Sequence, residues 1–344
     1  MNKFNELISW SKDSYAHLPW RKRRSLYHTL VSEIMLQQTT VGTVLNHFER
    51  FIELYPDVET LAKSTEDEVC IAWKGLGYYR RARNLRKAAI DICEHFDGEI
   101  PLSYEDLTSI KGVGEYTANA ILSIGEDKKA LAIDANLERI LSRIFGIKEK
   151  KGLKLQKKLK SKFVNGELAF GRIKSYRELN ESLMDLGRVL CQARKTDCAI
   201  CPLRTICIAN KSNDPLAYPE TPQAKVKKYY QLELLRAVVI KGNKVLGYEK
   251  SQDEWLAGQV ELPTFVVKSD DSNFKGYPKW NNDFNSDVSI KTSITKYKIV
   301  NHIQEFEKKE LPKNSTYKYY ELDPLKVNFA TATLKVLKKI NVIK

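Results

Sequence analysis

A chain of 344 residues is long enough for two domains of ordinary size, and 57 Lys plus Arg against 43 Asp plus Glu leave it with a net charge of +14. That balance favours polyanionic partners, nucleic acid above all, over acidic small molecules. No apolar run reaches the length of a membrane span, residues 1–20 mix charges into their apolar positions and so do not read as a signal peptide, and six cysteines are too few to staple a fold of this size. An intracellular, cytoplasmic setting is expected.

Residues 1–210 read as helices joined by short loops. Leu7, Ile8 and Trp10 predict a first helix that ends before Leu18-Pro19-Trp20. Leu26, Leu30, Ile34 and Met35 predict a second, and Val41, Val44, Leu45, Phe48, Phe51 and Ile52 a third before Tyr55-Pro56. Glu33 stands inside the second helix, flanked by Ile34, Met35 and Leu36. An acid there lies either on a solvated face, its commoner fate, or on the wall of a cleft, where loss of hydration raises its pKa and suits it to general acid work. After Gln37-Gln38 comes Lys74–Arg83, KGLGYYRRAR, with two glycines, two tyrosines and four basic side chains in ten residues. This stretch reads as a loop that holds backbone phosphates while a ring enters the base stack; the alternative is a solvated helix start over a packed tyrosine.

The chain is organised around residues 107–145. Gly112 and Gly114, one residue apart, allow positive φ angles and a tight reversal with exposed amides, predicting a hairpin of two helices over about 107–125. The second of these starts at Glu115, where its free N–H groups can hold an anion, for a basic chain a nucleic-acid phosphate. Asp134 precedes the periodic run Leu137, Ile140, Leu141, Ile144, so its carboxylate caps that helix. Beside a phosphate-gripping turn, the same carboxylate lies near the sugar of the gripped strand.

Four of the six cysteines fall in one run, Cys191-x6-Cys198-x2-Cys201-x5-Cys207, which reads as metal ligation. Zinc sites often pair two C-x2-C units, whereas compact uneven spacing fits a four-thiolate iron–sulfur cluster; both readings stand on spacing. Cys70 and Cys93 lie in helical patterns as small buried apolar residues. Residues 211–230 contain Pro215, Pro219 and Pro222, then Lys225, Lys227 and Lys228, and read as a linker. Beyond it Leu232–Ile240, a turn at Gly242-Asn243 and Val245–Tyr248 predict a hairpin, Tyr297–Val300 a further strand, and Leu334–Ile340 a helix. A smaller α+β domain over 231–344 follows.

Trp20, the block Ser32–Thr39, Gly75–Tyr79, Gly112-Val113-Gly114, Ile133-Asp134 and the cysteine run recur in this order in the helix-hairpin-helix DNA glycosylases. The chain resembles most the MutY-type adenine DNA glycosylases, over nearly all of residues 1–210. The resemblance implies a multidomain fold: an all-α helix-hairpin-helix glycosylase domain with a [4Fe–4S] cluster on Cys191, Cys198, Cys201 and Cys207, then a smaller Nudix-like α+β domain. It implies that Glu33 protonates adenine at N7 and that Asp134 stabilises an oxocarbenium-like sugar. Tyr116 and Asn136 would hydrogen-bond these groups, and Glu181 would contact the exocyclic amine. Gln38 and Tyr78 would enter the base stack, with Trp20, Gln37, Gly112 and Gly114 also on DNA or base. Where endonuclease III-type relatives carry a catalytic lysine this chain has Tyr116, which implies hydrolysis without strand cleavage. Where the family commonly has an arginine two places before Leu18, this chain has Ala16.

Glu254–Pro263 is similar to the Nudix-like domain with which these enzymes recognise 8-oxoguanine opposite adenine. No Nudix box of spaced Glu and Arg residues is present, so pyrophosphatase activity is not expected. The lesion-reading Phe-Ser-His loop corresponds to Ile294-Thr295-Lys296, which makes Thr295 and Lys296 the expected contacts. The implied partner is double-stranded DNA with adenine opposite 8-oxoguanine or guanine, bound by a monomer. Two other readings are an endonuclease III-like pyrimidine-lesion glycosylase and a lesion-binding protein without chemistry, in which the carboxylates only cap helices.

Overall fold

The computed structural model describes residues 2–221, 228–251 and 253–343. It divides into two units, Met1–Ser64 with Trp73–Ala224, and Thr65–Ala72 with Lys225–Lys344. Among the described residues no helix is long and apolar enough to cross a membrane.

The first unit is helical. Asn2, Ser25 and Thr40 cap α1 (Lys3–Tyr15), α3 (Leu26–Leu36) and α4 (Val41–Leu54), each side-chain oxygen accepting a free N–H of the first turn. The periodicity gave no sign of α2 (Pro19–Lys22), a single turn that starts on Pro19, where a missing N–H costs nothing. After α5 (Val58–Lys63) comes α6 (Glu66–Ala72), which belongs to the second unit, and the first unit continues through α7 (Arg80–His95), α8 (Tyr104–Ser109) and α9 (Glu115–Ala120). The helix expected from Glu115 does not stay α: Ile121–Gly125 widens into a π turn. Then come α10 (Ala135–Ile144), α11 (Leu153–Val164), α12 (Tyr176–Val189) and α13 (Ile208–Lys211).

A core of Leu7, Leu137, Ile140, Leu141, Ile144, Leu179, Leu183 and Leu186 locks α1, α10 and α12 together. Each such side chain contributes about 1.5–3 kcal/mol by leaving water. Gly187 lets α10 and α12 close up, since a Cβ there would lie 2.7 Å from Ile140 Cδ1.

Much of the expected 211–230 linker is structured. Pro215–Ala217 forms a 3-10 turn capped by Asp214, Arg143 Nε donates to the Tyr218 carbonyl at 2.9 Å, and Lys151 N–H donates to the Glu220 carbonyl at 2.9 Å. Proline-rich composition marked a segment without regular secondary structure, and hydrogen bonds nonetheless tie it to the side chain of Arg143 and to the backbone at Lys151. Pro222, Lys225 and Lys227 lie outside the described residues.

The second unit is α+β. One mixed sheet has the order β5-β1-β7-β6, from β1 (Tyr230–Val238), β5 (Thr264–Ser269), β6 (Val288–Ile294) and β7 (Tyr297–Glu305), with β1 and β7 parallel. A second joins β2 (Ile240–Lys241), β3 (Lys244–Glu249) and β4 (Val260–Glu261), with β8 (Lys318–Glu321) also on β3. The expected hairpin therefore needs correction. The turn at Gly242 is real, with φ +59°, but it joins β3 only to the two-residue β2, while β1 pairs with β5 and β7. The break at Val239 moves the chain from one sheet to the other, which an unbroken apolar run does not reveal. The final helix, α14 (Thr331–Lys339), buries Val336 and Leu337 in the core with Val245 and Phe329.

Candidate active site and cysteine cluster

Within the helical unit, α2, α3, α9, α10 and α12 line a cavity of about 430 Å³, inside the range of roughly 300–1,000 Å³ common to ligand sites. Trp20, Glu33, Tyr116, Asp134, Asn136 and Glu181 all face it. Trp20 forms a wall, its ring edge-to-face with Phe48 at 5.5 Å.

Nearly every residue of α3 from Tyr27 to Met35 is buried, so Glu33 has no solvated face to occupy and is only 4% exposed. Its Oε2 accepts the Tyr116 hydroxyl at 2.5 Å. Burial pushes its pKa up to about 7, against the downward pull of the Tyr116 bond and Arg21, with Asp134 and Glu181 adding repulsion. A carboxyl poised there can give and retake a proton near neutrality.

Asp134 has the opposite surroundings. Its Oδ1 accepts the N–H groups of Asn136 and Leu137, both at 2.8 Å, and its Oδ2 accepts Asn136 Nδ2 at 2.9 Å. Three donors at the helix N-terminus fix the orientation of this side chain toward the cavity. The loop before it is pinned by Asn180, which accepts Ala132 N–H and donates to the Ala130 carbonyl, both at 2.9 Å. Arg139 ties this end of the cavity to the cysteine loop, donating from Nη2 to Asn136 Oδ1 at 3.0 Å and from Nε to the Cys191 carbonyl at 2.9 Å.

Glu181 is held as a two-pronged ion pair by Arg24, at 2.6 and 3.1 Å, with Arg21 Nε 3.6 Å away. Arg21 also grips Asp185 at 2.8 Å, and Asp185 accepts the Ser11 hydroxyl at 2.6 Å. With Ala16 unable to contribute a charge, Arg24 and Arg21 supply the polar support of Glu181. Sequence reasoning missed Arg21, Arg24, Arg139 and Asp185; the only signal for the first two was a basic cluster at 21–24 immediately before the second predicted helix.

The residues expected at DNA lie on loops of this unit. Gln38 and Tyr78 both sit at positive φ, 56° and 49°, and are exposed, Tyr78 by 61%. Left-handed backbone is costly for such residues and concentrates where function demands it. Gln37 is less exposed and its Nε2 lies 3.4 Å from Thr117 Oγ1. In the hairpin turn only Gly112 needs its freedom: φ is +90°, and a Cβ would lie 2.8 Å from the Asn84 carbonyl oxygen. Gly114 is extended at φ −92° with open space around it, so its expected positive φ is not found. The turn is fixed by the Asp91 carboxylate, which accepts Lys111 N–H at 3.1 Å and its ammonium at 3.0 Å. Arg81, one of the four cations read as phosphate ligands, is instead buried, donating to the Ile34, Met35 and Gln37 carbonyls. Its role is to fasten α7 to the end of α3.

Cys191, Cys198, Cys201 and Cys207 line one small space with Arg143, and none is in a disulfide. Burial pushes the Cys201 thiol up to about 12 and raises Cys207, so as free thiols both resist ionisation. Arg143, 2% exposed, donates to Cys191 Sγ at 3.2 Å. Among the described residues no three of these sulfurs come within 4.8 Å of one another, whereas a tetrahedral zinc with bonds of about 2.3 Å holds its thiolates roughly 3.8 Å apart. The donor set, four thiols around one small space, fits a four-thiolate cluster.

In the second unit, Thr295 forms the β6–β7 turn at φ 50°. Lys296 is half-exposed, its ammonium 2.9 Å from Asp271 and 4.4 Å from the centre of the Tyr230 ring. The hydroxyl of Tyr297 and this ammonium hold the Asp271 carboxyl down to about 2. The two expected lesion contacts are thus set side by side on one preorganised turn.

Residues 31–164 match the HhH-GPD superfamily of base excision DNA repair proteins. Two relatives are adenine DNA glycosylases of Buchnera aphidicola. That of the Schizaphis graminum subspecies is 37% identical over 225 residues, 65% of this chain and 64% of its own. That of the Acyrthosiphon pisum subspecies is 33% identical over 253 residues, 73% of this chain and 71% of its own. The chain belongs to the adenine DNA glycosylase family. Its match thus spans about two thirds of these family members' length. A solved structure of a thermostable thymine-DNA glycosylase superposes with a TM-score of 0.53 at 25% identity, covering 61% of this chain and 95% of that one. The helical glycosylase architecture is therefore shared beyond the adenine family.

Proposed function

We propose that this protein is a monofunctional adenine DNA glycosylase of base excision repair. It hydrolyses the bond between adenine and deoxyribose where adenine stands opposite 8-oxoguanine or guanine. The observation that carries the reading is Glu33, buried, bonded to Tyr116 and poised near neutrality, in the same cavity as the hydrogen-bonded carboxylate of Asp134.

Adenine is a poor leaving group as an anion. Glu33 gives its proton to N7, so that the base departs neutral as its bond to the sugar breaks, and the carboxylate of Asp134 stabilises the cationic sugar. Asn136 holds Asp134 in place. Water then adds to the sugar carbon and its released proton restores Glu33. Glu181, aligned by Arg24, accepts from the exocyclic amine. Turning the nucleoside out of the duplex costs a few kcal/mol, offset by Gln38 and Tyr78 in the stack and by phosphate contacts at Gly112 and Gly114. Trp20 and Gln37 border the base. Tyr116 offers no amine for a Schiff base, which favours hydrolysis over strand cleavage.

Cys191, Cys198, Cys201 and Cys207 would hold a [4Fe–4S] cluster, which when bound supplies a rigid crosslink for this loop. The second unit would be the Nudix-like reader of the opposite base, through Thr295 and Lys296. The enzyme would act as an intracellular, DNA-associated monomer.

Single-turnover incubation with duplexes carrying adenine opposite 8-oxoguanine, guanine, cytosine or thymine tests this. Free adenine should appear fastest from the first two, with no borohydride-trapped adduct. A trapped adduct would support the endonuclease III-like reading, and duplex binding without released adenine the reading without chemistry.

A further inference from the structure

The second unit contains a cavity of about 440 Å³ that Ile294 of the Ile294-Thr295-Lys296 loop borders but whose charged inner wall none of these roles uses. Arg236, Lys250 and Glu261 meet on its inner wall, each no more than 3% exposed. Arg236 donates from Nε to Asn301 at 2.8 Å and from Nη1 to Glu261 Oε1 at 2.5 Å and Thr264 at 2.8 Å. Its Nη2 makes no hydrogen bond among the described residues. Lys250 donates to Glu261 Oε2 and, at 2.9 Å, to the Tyr277 hydroxyl.

Two buried cations therefore share one carboxylate. Burial alone would push the Glu261 carboxyl up, but Arg236 and Lys250 outweigh it and hold it below its ordinary range, so its charge is already spent on them. Burial, then Glu261, pushes the Tyr277 and Tyr248 phenols far up, so neither offers a compensating negative charge. Lys291 and Lys335 also line the cavity, with no acidic partner among the described residues. Glu254 lies nearby, 3.4 Å from the Tyr248 hydroxyl, but it accepts Ser251 N–H and is not part of the lining. A surplus of positive charge on a buried wall is costly unless an anion completes it. Trp255 and Tyr277 add aromatic surface, and Leu256 is held there at φ 61°.

We infer that this cavity binds a phosphate-bearing nucleotide, its phosphoryl oxygens on Arg236 Nη2 and the two lining lysines and its base against Trp255 and Tyr277. The site binds without cleaving. Glu261 is the sole carboxylate in the lining and both its oxygens are engaged by cations, leaving none to gather a divalent metal at a phosphate. This inference does not rest on adenine release in the helical unit.

The test is titration of the full chain with deoxyguanosine monophosphate, followed by calorimetry and tryptophan fluorescence, with deoxyguanosine as the uncharged control. The nucleotide should saturate with a Kd of about 1 mM or tighter, and the nucleoside should not bind. Replacing Lys291 and Lys335 together by alanine, at exposed positions where the fold tolerates it, should weaken binding about tenfold and flatten its salt dependence. Absence of saturation, or equal affinity in the double variant, would overturn the site; equal affinity would also place the nucleotide elsewhere, for instance in the helical unit. Competition with a short single-stranded oligonucleotide separates the sources. Displacement assigns the phosphate to a DNA strand, persistence to a free nucleotide, and both outcomes uphold the site.

Discussion

The two cavities of this protein each bury a glutamate, and the two glutamates behave oppositely. Glu33 is 4% exposed and Glu261 2%. Glu33 meets a phenol and two further carboxylates, so burial wins and it keeps its proton to about pH 7. Glu261 meets a guanidinium and an ammonium, so the cations win and it stays ionised. Burial alone does not make an acid catalyst. What separates a proton donor from a structural counter-ion is whether the sequence brings a cation into contact.

Breaking the counter-ion should have the largest effect. Glu261→Gln leaves two cations buried without their carboxylate and should destabilise the second unit by about 3–5 kcal/mol in chemical denaturation. Glu33→Gln should do the reverse. Adenine release should fall about 10³-fold in single-turnover assays, because the donated proton is gone. The folded protein should meanwhile gain stability. The pKa of Glu33 is raised from 4.5 to about 7 on folding, so the native state binds the extra proton and wild-type stability falls as pH rises across that window. Thermal unfolding should show the variant's advantage growing between pH 5 and pH 8, towards roughly 3 kcal/mol. Tyr116→Phe sharpens the contrast more gently. It removes the hydrogen bond that pulls the Glu33 pKa down, so release should slow about tenfold while the pH at which activity declines moves upward.

The sequence carried much of the helical unit and little of how its site is wired. Apolar spacing of 3.6 residues located α1, α3, α4 and α10, with a capping residue read only for the last, Asp134, and the order of short motifs singled out Glu33, Tyr116, Asp134 and Asn136. Arg24 and Arg21 reach Glu181 from about 160 positions away, and Arg139 reaches the Cys191 carbonyl across 52; no local pattern encodes such pairs. Arg81 misled for the same reason, since a cation in a basic run looks solvated until the backbone carbonyls it caps are known. In the second unit β1 reads as half of a hairpin, yet its parallel partner β7 pairs with it at a separation of 67 residues, and parallel pairing leaves no turn signature. The Glu261 network is likewise assembled from separate strands, and its residues are unremarkable one at a time.

The central claim is that a protonated Glu33 faces the carboxylate of Asp134 across one cavity and drives adenine from its sugar. The pH dependence of single-turnover adenine release, from a duplex with adenine opposite 8-oxoguanine, tests it most directly. On the high-pH side, the rate should hold up to about pH 7 and then decline tenfold per unit as Glu33 loses its proton, and Glu33→Gln should abolish that dependence along with most of the rate. A rate that climbs from pH 6 to pH 9, or a Glu33→Gln variant that releases adenine as fast as the wild type, would contradict the account.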